Sequence, residues 1–115
     1  MKQLFVMGIL ALMAAGSVAR AADTVTGEVV DLTCYMAHPD TGHGPGHRKC
    51  AEGCAKKGLP MAILTEDKQI VVLLQDHDNP KAYADVVARP ADTVTVEGRR
   101  VTEGGATAIL VQGVK

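Results

Sequence analysis

From Thr24 onward apolar and polar residues alternate. Val25, Gly27 and Val29 stand between Thr24, Thr26 and Glu28, with Asp31 following, the period of two that buries one face of a β-strand. Residues 61–65 and 69–75 are two apolar runs joined by Glu66-Asp67-Lys68, a connection of hairpin length. Ile70 to Leu74 is apolar without interruption, which predicts a strand covered on both faces. Residues 93–101 alternate again through Val94, Val96 and Gly98; Gly104-Gly105 makes a turn, and residues 106–114 supply a last strand. Between the third and fourth strands, Asp78-Asn79-Pro80 is a helix start, a capping side chain followed by proline at the first helical position. Tyr83, Val86 and Val87 give that helix one apolar face, and Arg89-Pro90 ends it.

The order is strand, long insertion, strand, strand, helix, strand, strand. It predicts an all-β chain with short helices, folded as a five-stranded OB-fold-like barrel with the insertion between strands 1 and 2. Gly27 and Gly98, inside the first and fourth strands, suit the sharp bends of such a barrel. An unclosed five-stranded sheet carrying one helix is the competing arrangement.

The amino end follows another pattern. Lys2, the apolar run at residues 4–15 and the small residues of Ala19-Arg20-Ala21 read as a secretory signal cleaved before Ala22. The run is shorter than the ~18–20 residues that span a bilayer. The expected organisation is therefore a signal peptide over 1–21 and a single OB-like domain over 22–115, exported to the periplasm or secreted, with no membrane insertion of the mature chain.

Composition narrows the function. A chain of 115 residues holds one small domain, and at 47% hydrophobic it is too apolar to be disordered. Aromatic residues are 3% and tryptophan is absent, which excludes recognition of bases or sugars by stacking. Loss of 1–21 removes Lys2 and Arg20 and no acid, leaving 10 bases against 13 acids. That surface does not suit nucleic acid or another polyanion. So small a core gains from a disulfide or metal staple.

Three cysteines and three of the four histidines fall between Cys34 and Gly58. An odd cysteine count in an oxidising compartment leaves one thiol without a partner, and metal ligation is one explanation. Two prolines and three glycines between Pro39 and Gly46 exclude regular structure there. A short helix is expected from His47 to Lys57, closed by Gly58; Gly53 within it costs ~1 kcal/mol relative to alanine. Cys50 and Cys54 are then one turn apart on one face. His47 and Cys54 would lie ~10.5 Å apart along a straight helix, too far to share an ion, unless His47 belongs to the loop and turns inward. With Cys34 approaching from the end of the first strand, Cys34, His47, Cys50 and Cys54 form a candidate tetrahedral Cys3His site for a zinc or copper ion.

A Cys34–Cys50 or Cys34–Cys54 disulfide, worth ~3 kcal/mol, explains the clustering nearly as well but idles one cysteine. Copper(I) is favoured by thiolates with Met36 and Met61 nearby, although Met61 opens a strand and reads as core. His38 and His43 read as solvated loop residues or accessory ligands, Tyr35 as packing over the insertion and His77 as a surface turn residue. Haem attachment and an iron–sulfur cluster lack their motifs. No catalytic triad, carboxylate pair or phosphate-binding glycine loop is present.

The segments 26–35, 47–55 and Gly58-Leu59-Pro60, with the glycine-bearing last strands, resemble a group of small secreted bacterial proteins of uncharacterised role that carry a Cys…His-x2-Cys-x3-Cys insertion. The resemblance implies that the cysteines and His47 belong to one unit and brings no activity with it. Three functions follow as expectations: a periplasmic metal-binding protein, a disulfide-stapled binding module for another envelope protein, or a thiol redox protein using Cys50 and Cys54.

Overall fold

The structure, a computed structural model, describes residue 16 and residues 21–115. The secretory segment expected over 1–21 therefore lies, but for two positions, outside the described residues.

Five strands, β1 (Asp23–Asp31), β2 (Met61–Leu64), β3 (Ile70–Gln75), β4 (Thr93–Glu103) and β5 (Ala106–Val114), close into a barrel in the order β1-β2-β3-β5-β4. Every neighbouring pair is antiparallel except β3 with β5, and β4 returns to pair with β1. This is the OB-like arrangement expected from the strand order.

Closure depends on strands long enough to serve two neighbours. The first half of β1 pairs with β4 and its second half with β2, with Glu28 opposite both Thr93 and Leu64. The chain turns beside Gly27, where any Cβ would overlap the Leu64 carbonyl oxygen. β4 turns in the same way at Gly98, next to a register shift, where a Cβ would overlap the Leu110 carbonyl oxygen. Such close backbone approach admits only glycine.

Alternation fills the barrel. Val25 and Val29, Met61 and Ile63, Val71 and Leu73, Val94 and Val96, and Ile109 and Val111 meet in one buried cluster. Helix α3 (Pro80–Val87) adds Ala82 and Val86 to it; the Asn79 side chain accepts a hydrogen bond from the Ala82 amide, as the sequence anticipated. Met61 is core, as its position implied. The expectation of two covered faces on β3 is not met: Val72 is half-buried and Leu74 is 39% exposed. Its outer face is covered only at its start, where Ile70 packs against Val30, Ala62 and Leu64, so the unbroken apolar run overstates the burial of this strand.

The outer face of β1 and β2 does have a cover. Val30, Ala62 and Leu64 form a second small cluster under Leu32 and Tyr35 of α1 (Leu32–Ala37), a helix the sequence reading missed. Cys34 thus sits within a helix, one turn past the end of the strand. A 3-10 turn (Pro45–His47) then leads into α2 (Arg48–Lys56). No helix among the described residues is long and apolar enough to cross a membrane.

Candidate metal centre

Asp31 organises the site. It is the last residue of β1, fully buried, and N-cap of α1. One carboxylate oxygen, Oδ1, accepts from the Thr33 amide at 3.0 Å and the Cys34 amide at 3.3 Å. These bonds start α1 immediately at the strand exit and turn Cys34 back over the carboxylate. The other oxygen, Oδ2, is buried with no hydrogen-bond partner.

The loop after α1 brings His47 back to the same point. The His38 and Thr41 region folds tightly, with the Cys34 carbonyl accepting from the His38 amide and the His38 carbonyl accepting from the amides of Thr41 and Gly42. Gly42 lies so close to α1 that a Cβ would stand 2.5 Å from the Cys34 carbonyl oxygen. Further on, Gly44 donates its amide to Glu28 Oε2 at 2.7 Å, tying the loop to β1. The 3-10 turn then ends at His47, ahead of α2, so the imidazole turns inward before the helix begins. Arg48 fixes the start of α2 by donating to the Pro90 carbonyl at 2.7 Å and to Asp92 Oδ1 at 2.9 Å.

Asp31, Cys34, His47 and Cys50 consequently offer four ligand atoms that all lie within 4.8 Å of one another. His47 Nε2 stands 3.9 Å from Asp31 Oδ2 and, like it, is buried without a hydrogen-bond partner. Donors around a tetrahedral ion at 2.0–2.3 Å lie roughly 3.5 Å apart, so an ion would draw these atoms in by about 1 Å at most. The residues fit a metal ion.

Three of the four donors expected from sequence, Cys34, His47 and Cys50, are in this group. Cys54 is not; it lies one turn further along α2 than Cys50. The fourth member, Asp31, was missed. Its signal was present: an aspartate at a strand exit, followed by a helix-length segment and then His38-Pro39, is an N-cap pattern. All three cysteines carry free thiols.

The electrostatics follow from that carboxylate. Cys34 is pushed up to about 12, first by the closeness of its thiol to the Asp31 carboxylate, then by burial and the carboxylate charge. Cys54 rises to about 11 for the same reasons in the same order. Burial acts to raise Asp31, but contacts with Cys54, Cys34 and the two capping amides hold its carboxyl below the usual range.

The remaining candidates stand apart. His43 Nδ1 is 3.8 Å from Glu28 Oε1 and its ring meets Tyr35 edge-on at 5.9 Å, while His38, Met36 and His77 are exposed. Gly53 has open space where its side chain would be, so nothing crowds that position. No protein-family model, curated protein or solved structure matches the chain.

Proposed function

We propose that this protein is a metal-binding module of the periplasm, non-enzymatic, which holds a zinc or copper ion on the side of its barrel. The observation that carries the reading is the pair of buried, partnerless atoms, Asp31 Oδ2 and His47 Nε2, converging with two thiols. An unsatisfied buried polar atom costs about 1–3 kcal/mol. A cation between them satisfies both, and with two thiolates it completes a four-donor set. The ion would also join the end of β1, the loop and α2, a staple that a core of this size can use. Export rests on the charged, apolar and small-residue pattern of the first 21 residues.

A second reading has its own observation. The Cys34 and Cys50 sulfurs are within 4.8 Å, so a modest approach would join them in a disulfide that pins the insertion and removes two donors. Native mass spectrometry of the exported chain, purified without chelator, separates the two. The metal reading expects a mass increment of one ion that elemental analysis identifies. A loss of two hydrogens with no metal would overturn it and leave the disulfide-stapled module.

A further inference from the structure

The sequence offered three thiols and one imidazole, whereas the fold assembles two thiols, one imidazole and one carboxylate. The difference changes which ion the centre suits. This inference rests on the metal reading and deepens it. We propose that the centre is a Cys2HisAsp site in which Asp31 Oδ2 is the fourth donor and selects a divalent zinc-type ion over copper(I), with Cys54 outside the donor set.

Three observations converge. First, Asp31 divides its oxygens between two tasks. Oδ1 is committed to the amides of Thr33 and Cys34, and Oδ2 is left buried and unpartnered 3.9 Å from His47 Nε2. A carboxylate that served only as a helix cap would not need to bury its second oxygen facing an imidazole.

Second, the donors differ in what they can bind. Copper(I) is content with soft thiolates and an imidazole and gains little from an oxygen ligand. Zinc accepts sulfur, nitrogen and oxygen and takes four donors. Charge points the same way. Two thiolates and Asp31 carry three negative charges, so a monovalent ion leaves two uncompensated beside a residue with no solvent exposure, and a divalent ion leaves one.

Third, Cys54 stands outside the set. It lies one turn along α2 from Cys50, outside the four mutually close donors.

The test uses the full exported chain, reduced, with cobalt(II), zinc(II) and copper(I) as probes. Sulfur-to-cobalt charge-transfer absorption scales with the number of thiolates bound. It should be unchanged in Cys54→Ser and fall by about half, one thiolate of two, in Cys34→Ser and in Cys50→Ser. Asp31→Asn preserves the capping oxygen and should weaken zinc and cobalt while leaving copper(I) affinity unchanged. Loss of a third of the charge-transfer intensity in Cys54→Ser, or equal weakening of zinc and copper(I) in Asp31→Asn, overturns this inference and leaves a metal protein of another donor set. A wild-type chain that binds none of the three ions overturns the metal reading and this inference together.

Discussion

Asp31 Oδ2 and His47 Nε2 face each other across 3.9 Å, both buried and neither hydrogen-bonded. They come from the end of a strand and the end of a glycine-rich loop, so nothing local in the chain pairs them. What holds them there is the capping of α1 by Asp31 on one side and the anchoring of the loop by Glu28 and Arg48 on the other.

An ion that fills that gap stabilises the folded chain. At a free concentration 100 times its dissociation constant, the gain is about 2.7 kcal/mol, which in a domain of this size raises the melting temperature by roughly 10 °C or more. His47→Ala should abolish most of that rise and leave the metal-free melting temperature little changed, since the imidazole nitrogen makes no hydrogen bond to lose. Thermal denaturation with and without zinc, followed by circular dichroism, checks both parts.

The thiols give the metal-free protein an alkaline limit. Cys34 rises from 9.0 to about 12 on folding, so the stability it contributes is complete below pH 9 and is lost as pH climbs toward 12. Asp31 is lowered, so its contribution is complete above 3.8 and is lost as pH falls through its folded value. Urea-denaturation midpoints of the reduced, metal-free chain should therefore decline above pH 9, and Cys34→Ser should soften that decline. Zinc affinity runs the opposite way and should increase with pH, because binding releases the thiol protons. Calorimetry in buffers of different ionisation enthalpy counts those protons; a zinc-binding heat independent of buffer would contradict the scheme.

The barrel was readable because alternation and its punctuation agree. Val25 and Val29, the Asn79-Pro80 start and the Gly104-Gly105 turn each report a local rule that the packing respects. Periodicity failed where one pattern has two causes: the run from Ile70 to Leu74 looks doubly covered, yet Leu74 faces outward. In the site, cysteine and histidine announced themselves by type and clustering. Asp31 did not, because an aspartate at the end of a strand is an ordinary residue until its second oxygen is found buried. Whether Cys54 or Asp31 stood closest to Cys34, His47 and Cys50 depended on how the turn at His47 was made, a tertiary matter that spacing along a helix does not determine.

Arg48 tests how far the centre depends on its frame. Its guanidinium bridges the Pro90 carbonyl and Asp92 Oδ1, joining the start of α2 to the turn after α3. The same guanidinium holds the Asp92 carboxyl below the usual range. Arg48 adjoins His47 in sequence, so freeing it loosens the residue that delivers the imidazole. Arg48→Ala should lower zinc affinity about 10-fold, in the range of lost outer supports. Arg48→Lys should recover part of it, because both bonds leave the single nitrogen Nη1 and an ammonium also has several protons to donate, though on a shorter side chain. Competition titration with a zinc chelator measures each variant.

Two glycines separate the fold from the site. At Gly98 a methyl group would overlap the Leu110 carbonyl oxygen and stand 3.1 Å from Ile109 Cγ1, so accommodating it means parting β4 from β5 at their irregular register. Gly98→Ala should cost about 3 kcal/mol or more, as overpacking against backbone does, and lower the urea midpoint. Gly53 lies inside α2 with nothing beyond its own neighbouring helix backbone within 4 Å of where a Cβ would be. Gly53→Ala should therefore stabilise the helix by about 0.5–1 kcal/mol, since alanine removes the entropic cost and meets no obstacle. Its zinc affinity should match wild type, because neither the barrel nor the four donors depends on an empty space at that position. A large loss of zinc binding in Gly53→Ala, with stability preserved, would mean that α2 must yield when the ion enters.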